Sequence, residues 1–239
     1  MIKNLVVGGC SYTQDYRIKT WPNYLAERMG WQLINVGARG AGIDFVSKRL
    51  IIELQDYDPQ STTVVIMLPS SDRFDLYVDK EHPLKNDLRN IASWQGNEYP
   101  ELVNLDGSKS TEHGYSLTGG HHRGYKKYYY KFFYNYTYSE INYWFNVISL
   151  QNYLNVRRFT SLFTSVYNLD NIVEQESNRR GTLEFTKMYD LVDWTKFKFY
   201  KQRSGFLDFV ADHNYECIDY HPVTEAHAAW AESILIPNY

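Results

Sequence analysis

Three short stretches hold the side chains able to do covalent chemistry. The first, NLVVGGCSYTQDY over residues 4–16, runs apolar through Val6 and Val7, breaks at Gly8 and Gly9, and then presents Ser11. An apolar run closed by glycines reads as a buried strand opening into a loop, and in layered α/β proteins ligands gather at that end of the sheet. A serine there serves as a nucleophile, a helix cap or a phosphate-binding hydroxyl. The second stretch, YECIDYHPVTEAH, sets His221 two residues after Asp219. Side chains two apart in extended chain share a side, so the carboxylate can hold the imidazole in one tautomer and stabilise its protonated form. Pro222 fixes the chain behind the histidine and lets a helix begin, which makes a plain turn before a helix the competing reading. The third, INVGARGAGID over 34–44, follows Asn35 with Gly37, Gly40 and Gly42. A loop loosened in this way ahead of a helix can aim main-chain N–H groups at a developing anion. Its spacing is not G-x-G-x-x-G, and G-x-x-x-x-G-K-[ST] occurs nowhere, so a nucleotide site has little support.

The elements that must position these stretches alternate. KNLVVGG reads as a central parallel strand, and WPNYLAERMG as a helix with Trp21, Leu25 and Met29 on one face and Gly30 as its stop. WQLINVG is a second strand. AGIDFVSKRLIIELQDYDP is a helix with Phe45, Val46, Leu50, Ile51 and Leu54 on one face, and STTVVIMLP is a third, buried strand. This β-α-β-α-β order predicts a parallel sheet with right-handed crossovers. Residues 74–137 break the rhythm with polar, turn-rich chain and read as an insertion or long loops at one sheet edge. Beyond them the spacing predicts a helix capped by Ser139, with Ile141, Phe145, Ile148 and Leu154 at helical intervals. A fourth strand in VRRFTSLFTSVYN, a short strand in MYDLVDW, a helix in SGFLDFVADH and a final helix starting near Thr224 follow. There is no internal repeat, and the 239 residues read as one domain.

Composition narrows the function classes. A net charge of -3, from 25 basic and 28 acidic residues, gives no general field for nucleic acid or anionic membrane. Cys10 and Cys217 form no CxxC pair, which argues against a disulfide scaffold or a zinc site. His113, His121 and His122 have no carboxylate or cysteine at ligand spacing, so they read as a solvated loop and no metal is expected. No apolar run has the length of a signal peptide or a membrane span, which predicts a cytoplasmic protein; a viral protein released with its host cell fits equally.

Taken together and in this order, a serine after strand one, a glycine loop after strand two and Asp-x-His before the last helix resemble the SGNH hydrolase superfamily, the GDSL-like esterases. Gly9, Cys10, Ser11, Tyr12 and Thr13 stand against that family's Gly-Asp-Ser-x-Thr block. The resemblance spans about residues 4–73 and 213–236. It implies a three-layer α/β/α sandwich of flavodoxin-like architecture with a mainly parallel sheet. It implies Ser11 as nucleophile, His221 as base and Asp219 as orienting acid. The N–H groups of Ser11 and Gly40 would be the oxyanion donors, and no cofactor or metal is needed. Three positions depart from the pattern. Cys10 replaces the usual aspartate, which is not the triad acid. The last block is Asp-x-His instead of Asp-x-x-His, with Glu216 as a fallback acid. MLPSSDRFD stands where Gly-x-Asn-Asp is usual, so Ser71 falls at the asparagine that donates to the oxyanion, and Arg73 is close enough in sequence to reach the same place. Tyr12, Arg39 and Arg73 are the substrate-binding candidates.

Such a site would hydrolyse a small O-acyl ester, with a carbohydrate O-acetyl group as the specific expectation. Twelve of the 21 residues from Tyr125 to Phe145 are aromatic, with Lys126, Lys127 and Lys131 interleaved. Rings of this kind stack on sugar faces or on single-stranded nucleic acid, but their commonest use is as core, an insertion packed on the sheet, or the contact of a homo-oligomer. Two rival readings keep the fold and change the activity: a catalytically weak module that binds glycan or protein, and an acyltransferase with the same triad. Cys10 as nucleophile and His227 as a structural histidine complete the alternatives.

Overall fold

The computed structural model describes residues 3–14, 18–79, 102–110, 113–117, 129–169 and 183–238. The chain enters through β1 (Asn4–Gly8), α1 (Trp21–Met29), β2 (Gln32–Asn35), α2 (Ile43–Glu53) and β3 (Thr62–Leu68). Four short strands follow: β4 (Asp75–Val78), β5 (Leu102–Val103), β6 (Lys109–Ser110) and β7 (Gly114–Leu117). Then come α3 (Tyr136–Val156), β8 (Thr160–Ser165), α4 (Leu183–Asp190) and α5 (Phe206–Asp212). A hairpin of β9 (Cys217–Ile218) and β10 (His221–Pro222) leads into α6 (Thr224–Trp230), whose last turns widen over Ala231–Leu235.

β1, β2, β3 and β8 form one sheet in the order β2–β1–β3–β8. All three pairings are parallel, with Val6 opposite Ile34 and Val64, and Val65 opposite Leu162. The two central strands, β1 and β3, are apolar without alternation because both of their faces are covered. Alternate side chains part to opposite faces. Val6, Val64 and Ile66 pack with Leu50 of α2 and Trp144, Val147 and Leu150 of α3. Leu5, Val7, Val65 and Met67 pack with Trp21 and Leu25 of α1, Phe206 and Phe209 of α5, and Trp230 of α6. The result is the expected α/β/α layering. Each fully buried valine or leucine in these layers contributes on the order of 1.5–3 kcal/mol by leaving water.

Local signals place the helices. Asn23 accepts from the Thr20 N–H at 3.1 Å and Gly30 closes α1 with φ 66°, a left-handed stop suited to glycine. At the front of α2 the capping group comes from elsewhere: the Asp75 carboxylate of β4 accepts from the N–H groups of Gly42 and Phe45, both at 2.9 Å. β4, β7, β5 and β6 form a second, antiparallel sheet in that order. It leans on α2, with the Tyr115 ring edge-on to Phe45 at 5.3 Å. The region expected to be an insertion or long loops therefore holds a sheet of its own.

Three expectations about the second half fail. Ser139 does not cap α3; Asn135 does, accepting from the Tyr138 N–H at 2.9 Å. The inward face of α3 is Glu140, Tyr143, Trp144, Val147, Leu150, Gln151 and Leu154, while Phe145 is 59% exposed. Rings lie on every side of this helix, and two of its inward residues are polar, which hides the apolar stripe. Gln151 earns its place by exchanging two hydrogen bonds, both 3.0 Å, with the main chain of Asp193. MYDLVDW is not a strand: Met188–Asp190 end α4, and Trp194 opens a short 3₁₀ turn. The Tyr189 and Trp194 rings both meet Trp144 edge-on, at 5.2 and 5.5 Å.

Candidate active site

The three stretches meet at the carboxyl ends of the parallel strands. β1 ends against α2: a methyl on Gly8 would lie 2.5 Å from Leu50. At Gly9 a Cβ would lie 2.9 Å from the Met67 carbonyl oxygen and closer still to the Thr13 hydroxyl. The two glycines are thus required by close packing of helix, strand and returning loop. Beyond them the chain folds into a turn, with the N–H groups of Thr13 and Gln14 both donating to the Cys10 carbonyl at 3.0 Å. Ser11 stands half-buried on that turn, while Cys10 and Tyr12 point inward and are buried.

Asn35, the last residue of β2, ties this turn to the glycine loop. Its amide donates to the Thr13 carbonyl at 2.7 Å, and its side-chain oxygen accepts from Gly37 N–H at 2.9 Å. The Arg39 N–H donates to the Gln14 side chain at 2.7 Å, while the Arg39 side chain is exposed. Gly40 takes φ 79°, which glycine adopts at little cost. Among the described residues, neither the Ser11 N–H nor the Gly40 N–H donates to a protein acceptor.

The histidine arrives on the hairpin. Asp219 and Tyr220 form its two-residue turn with φ 50° and 64°, and His221 pairs with Ile218 across it. The Tyr12 phenol donates to the Tyr220 carbonyl at 3.1 Å, and the Tyr12 and His221 rings lie 5.1 Å apart. Burial pushes the Tyr12 phenol above its ordinary value, with the neighbouring Tyr167 adding to the effect, so it remains a donor. His221 Nδ1 lies 2.9 Å from the main-chain oxygen of Asp219. A carbonyl can only accept, so this bond places the proton on Nδ1 and leaves Nε2 as a base. The hydrogen bond between residues 219 and 221 is thus made by the main chain, and the Asp219 side chain is exposed. Glu216 is exposed as well, and its carbonyl accepts from the Val223 N–H at 3.1 Å. No hydrogen bond joins Ser11 to His221 in this structure; such bonds are commonly long until substrate binds.

Behind His221 lies His227, fully enclosed, its ring 4.8 Å from Phe206. Burial, with the nearby His221, pushes it down to about 3, so it is neutral at ordinary pH.

The segment after β3 supplies the rest. Ser71 gives its carbonyl to the Ser139 hydroxyl at 2.6 Å and lines a cavity of about 250 Å³ with Ser70, Tyr136, Tyr167, Asn168 and Asp208. On Arg73, Nη1 donates to the Ala41 carbonyl at 3.2 Å. Burial works against its charge, but Cys10, Tyr167 and Asp72 outweigh burial and hold it above its ordinary value. Sequence reasoning missed Tyr167 and Asp75. Tyr167 lies just past the end of β8, the general ligand edge of such a sheet. Asp75 carries no sequence signal, since the helix it caps is about thirty residues away. Lys126, Lys127, His121 and His122 lie outside the described residues.

No protein-family model matches the chain, and neither does any curated protein. Solved structures do. An esterase, EstA from Pseudoalteromonas sp., aligns over 96% of this chain and 93% of its own, with 14% identity and a TM-score of 0.50. TesA aligns over 96% and 94% with 14% identity and a TM-score of 0.49. The acetylxylan esterase Axe2 from Geobacillus stearothermophilus aligns over 96% and 91% with 13% identity and a TM-score of 0.45. No helix among the described residues is long and apolar enough to cross a membrane. In architecture, a parallel sheet between helical layers with its candidate site at the strand ends, the chain shares the fold of the esterase EstA.

Proposed function

We propose that this chain is a serine ester hydrolase acting on small O-acyl esters, with a carbohydrate O-acetyl group as the preferred substrate. The reading is carried by the docking of the hairpin on the loop after β1, through the Tyr12–Tyr220 hydrogen bond and the adjacent Tyr12 and His221 rings. Ser11 Oγ attacks the ester carbonyl carbon, and Nε2 of His221 takes its proton. The C=O electron pair moves onto oxygen, where the N–H groups of Ser11 and Gly40 receive it. Collapse breaks the bond to the alcohol, which leaves with the proton from His221. Water then repeats the sequence on the acyl-enzyme and frees the acid. Asp219 orients His221 through its main-chain oxygen. The cavity beside Ser71, lined by hydroxyls, an amide and two tyrosines, supports a polyhydroxylated alcohol part.

Hydrolysis of p-nitrophenyl acetate by the wild type and Ser11→Ala tests this, together with covalent labelling by a fluorophosphonate. Turnover and labelling that both vanish in Ser11→Ala support the reading. A wild type that neither turns over nor labels points instead to a binding module.

A further inference from the structure

We propose that Arg73 is a catalytic residue of this site, its guanidinium donating to the oxyanion where Ser71 stands in the sequence position of the usual asparagine. The inference rests on the hydrolase reading and assigns a group within it. Arg73 is held by Nη1 on the carbonyl of Ala41, at 3.2 Å, and its guanidinium is near enough to Cys10 and Tyr167 to feel their electrostatics. Ala41 directly follows Gly40, and Cys10 directly precedes Ser11. The guanidinium therefore lies between the two main-chain segments whose N–H groups would receive the oxyanion. The close approach is built into the backbone, because a Cβ on Gly42 would lie only 3.2 Å from the Arg73 Cβ and carbonyl oxygen.

The Ser71 carbonyl is taken by Ser139, and the residue lines the cavity past β3. Asp75, the nearest enclosed carboxylate in sequence, gives both oxygens to the N–H groups of α2. Among the described residues, no carboxylate lies within ion-pair distance of Arg73. A planar fork of five donors, only partly used, remains beside the place where negative charge develops. A charged donor forms a hydrogen bond roughly twice as strong as a neutral hydroxyl does. In the step itself, the Ser11 Oγ–carbon bond forms and the proton passes to His221. The π pair becomes an oxyanion held by two N–H groups and the guanidinium. It re-forms C=O as the alcohol departs with the proton from His221.

The test compares the wild type, Ser11→Ala, Arg73→Lys, Arg73→Gln and Arg73→Ala on p-nitrophenyl acetate, a neutral ester, with thermal melts to confirm folding. Arg73→Gln is expected to lose roughly 100-fold or more in kcat with KM within about threefold. Arg73→Lys should fall between it and the wild type, and added guanidinium should restore part of the activity of Arg73→Ala, which a structural role would not produce. A kcat for Arg73→Gln within about threefold of the wild type overturns the proposal, as does a loss carried by KM alone. Should the Gln and Ala variants fail to fold, Arg73→Lys decides by the same split. Activity that survives Ser11→Ala removes the hydrolase reading itself, and this inference with it.

Discussion

The phenol of Tyr12 donates to the main-chain carbonyl of Tyr220 across 3.1 Å, joining the loop after the first strand to a hairpin 208 positions later. That bond and the neighbouring rings bring His221 to the edge where Ser11 stands. The hairpin has only two residue pairs, and Cys217, Ile218, Asp219 and Tyr220 are all exposed, so its own packing does little to hold it.

Tyr12→Phe keeps the ring and removes the bond. It should cost about 1 kcal/mol of stability, the usual net worth of one hydrogen bond, and roughly tenfold in kcat/KM through misplacement of the base. Denaturant melts and steady-state kinetics on p-nitrophenyl acetate read both. Unchanged kinetics would mean the hairpin is held by other contacts.

Asp219→Asn separates main chain from side chain. Asparagine tolerates the left-handed backbone at this position, where φ is 50°, and leaves the carbonyl facing His221 Nδ1 intact. Activity within about threefold of the wild type is expected. A loss near the 10⁴-fold that removal of a triad carboxylate produces elsewhere would return the orienting role to the Asp219 carboxylate.

Asp75 should leave a signature in stability against pH. Burial pushes its carboxyl up to about 6, against the pull of its bonds from Gly42 and Phe45. The folded protein therefore takes up a proton between about pH 4 and 6 that the unfolded chain has released. Stability from this group is present at the acid end and declines as pH rises through 6. Asp75→Asn should flatten that segment of the curve, on the order of 3 kcal/mol across the window. An unaltered slope in urea melts from pH 4 to 7 would contradict the assignment.

His227 should act in the opposite sense. Its value near 3 means the unfolded chain binds a proton between about pH 6.5 and 3 that the folded chain refuses. Its contribution is full above pH 6.5 and drains away on acidification. His227→Gln should therefore lower the stability lost between pH 6.5 and 4 by a few kcal/mol. If wild type and variant lose stability in parallel over that range, another group governs the acid limb.

How far the sequence foretold this molecule depends on where the information lies. β1 and β3 were legible because central strands covered on both faces are mostly apolar, and the early helices because of stops such as Gly30. The inward face of α3 was not, since Glu140 and Gln151 lie within it and aromatic residues ring the helix. The order of Ser11, Gly40 and His221 along the chain was enough to suggest one site. That the 219–221 hydrogen bond runs through a carbonyl, or that Arg73 donates to the Ala41 carbonyl, depends on turn geometry that residue types do not encode.

Asn35 spans two loops with one amide, holding the Thr13 carbonyl with its nitrogen and the Gly37 N–H with its oxygen. The ledges that carry Ser11 and Gly40 are thereby riveted into a single anvil. The opposite jaw, the two-rung hairpin that carries the imidazole, is clasped to that anvil by the Tyr12 phenol.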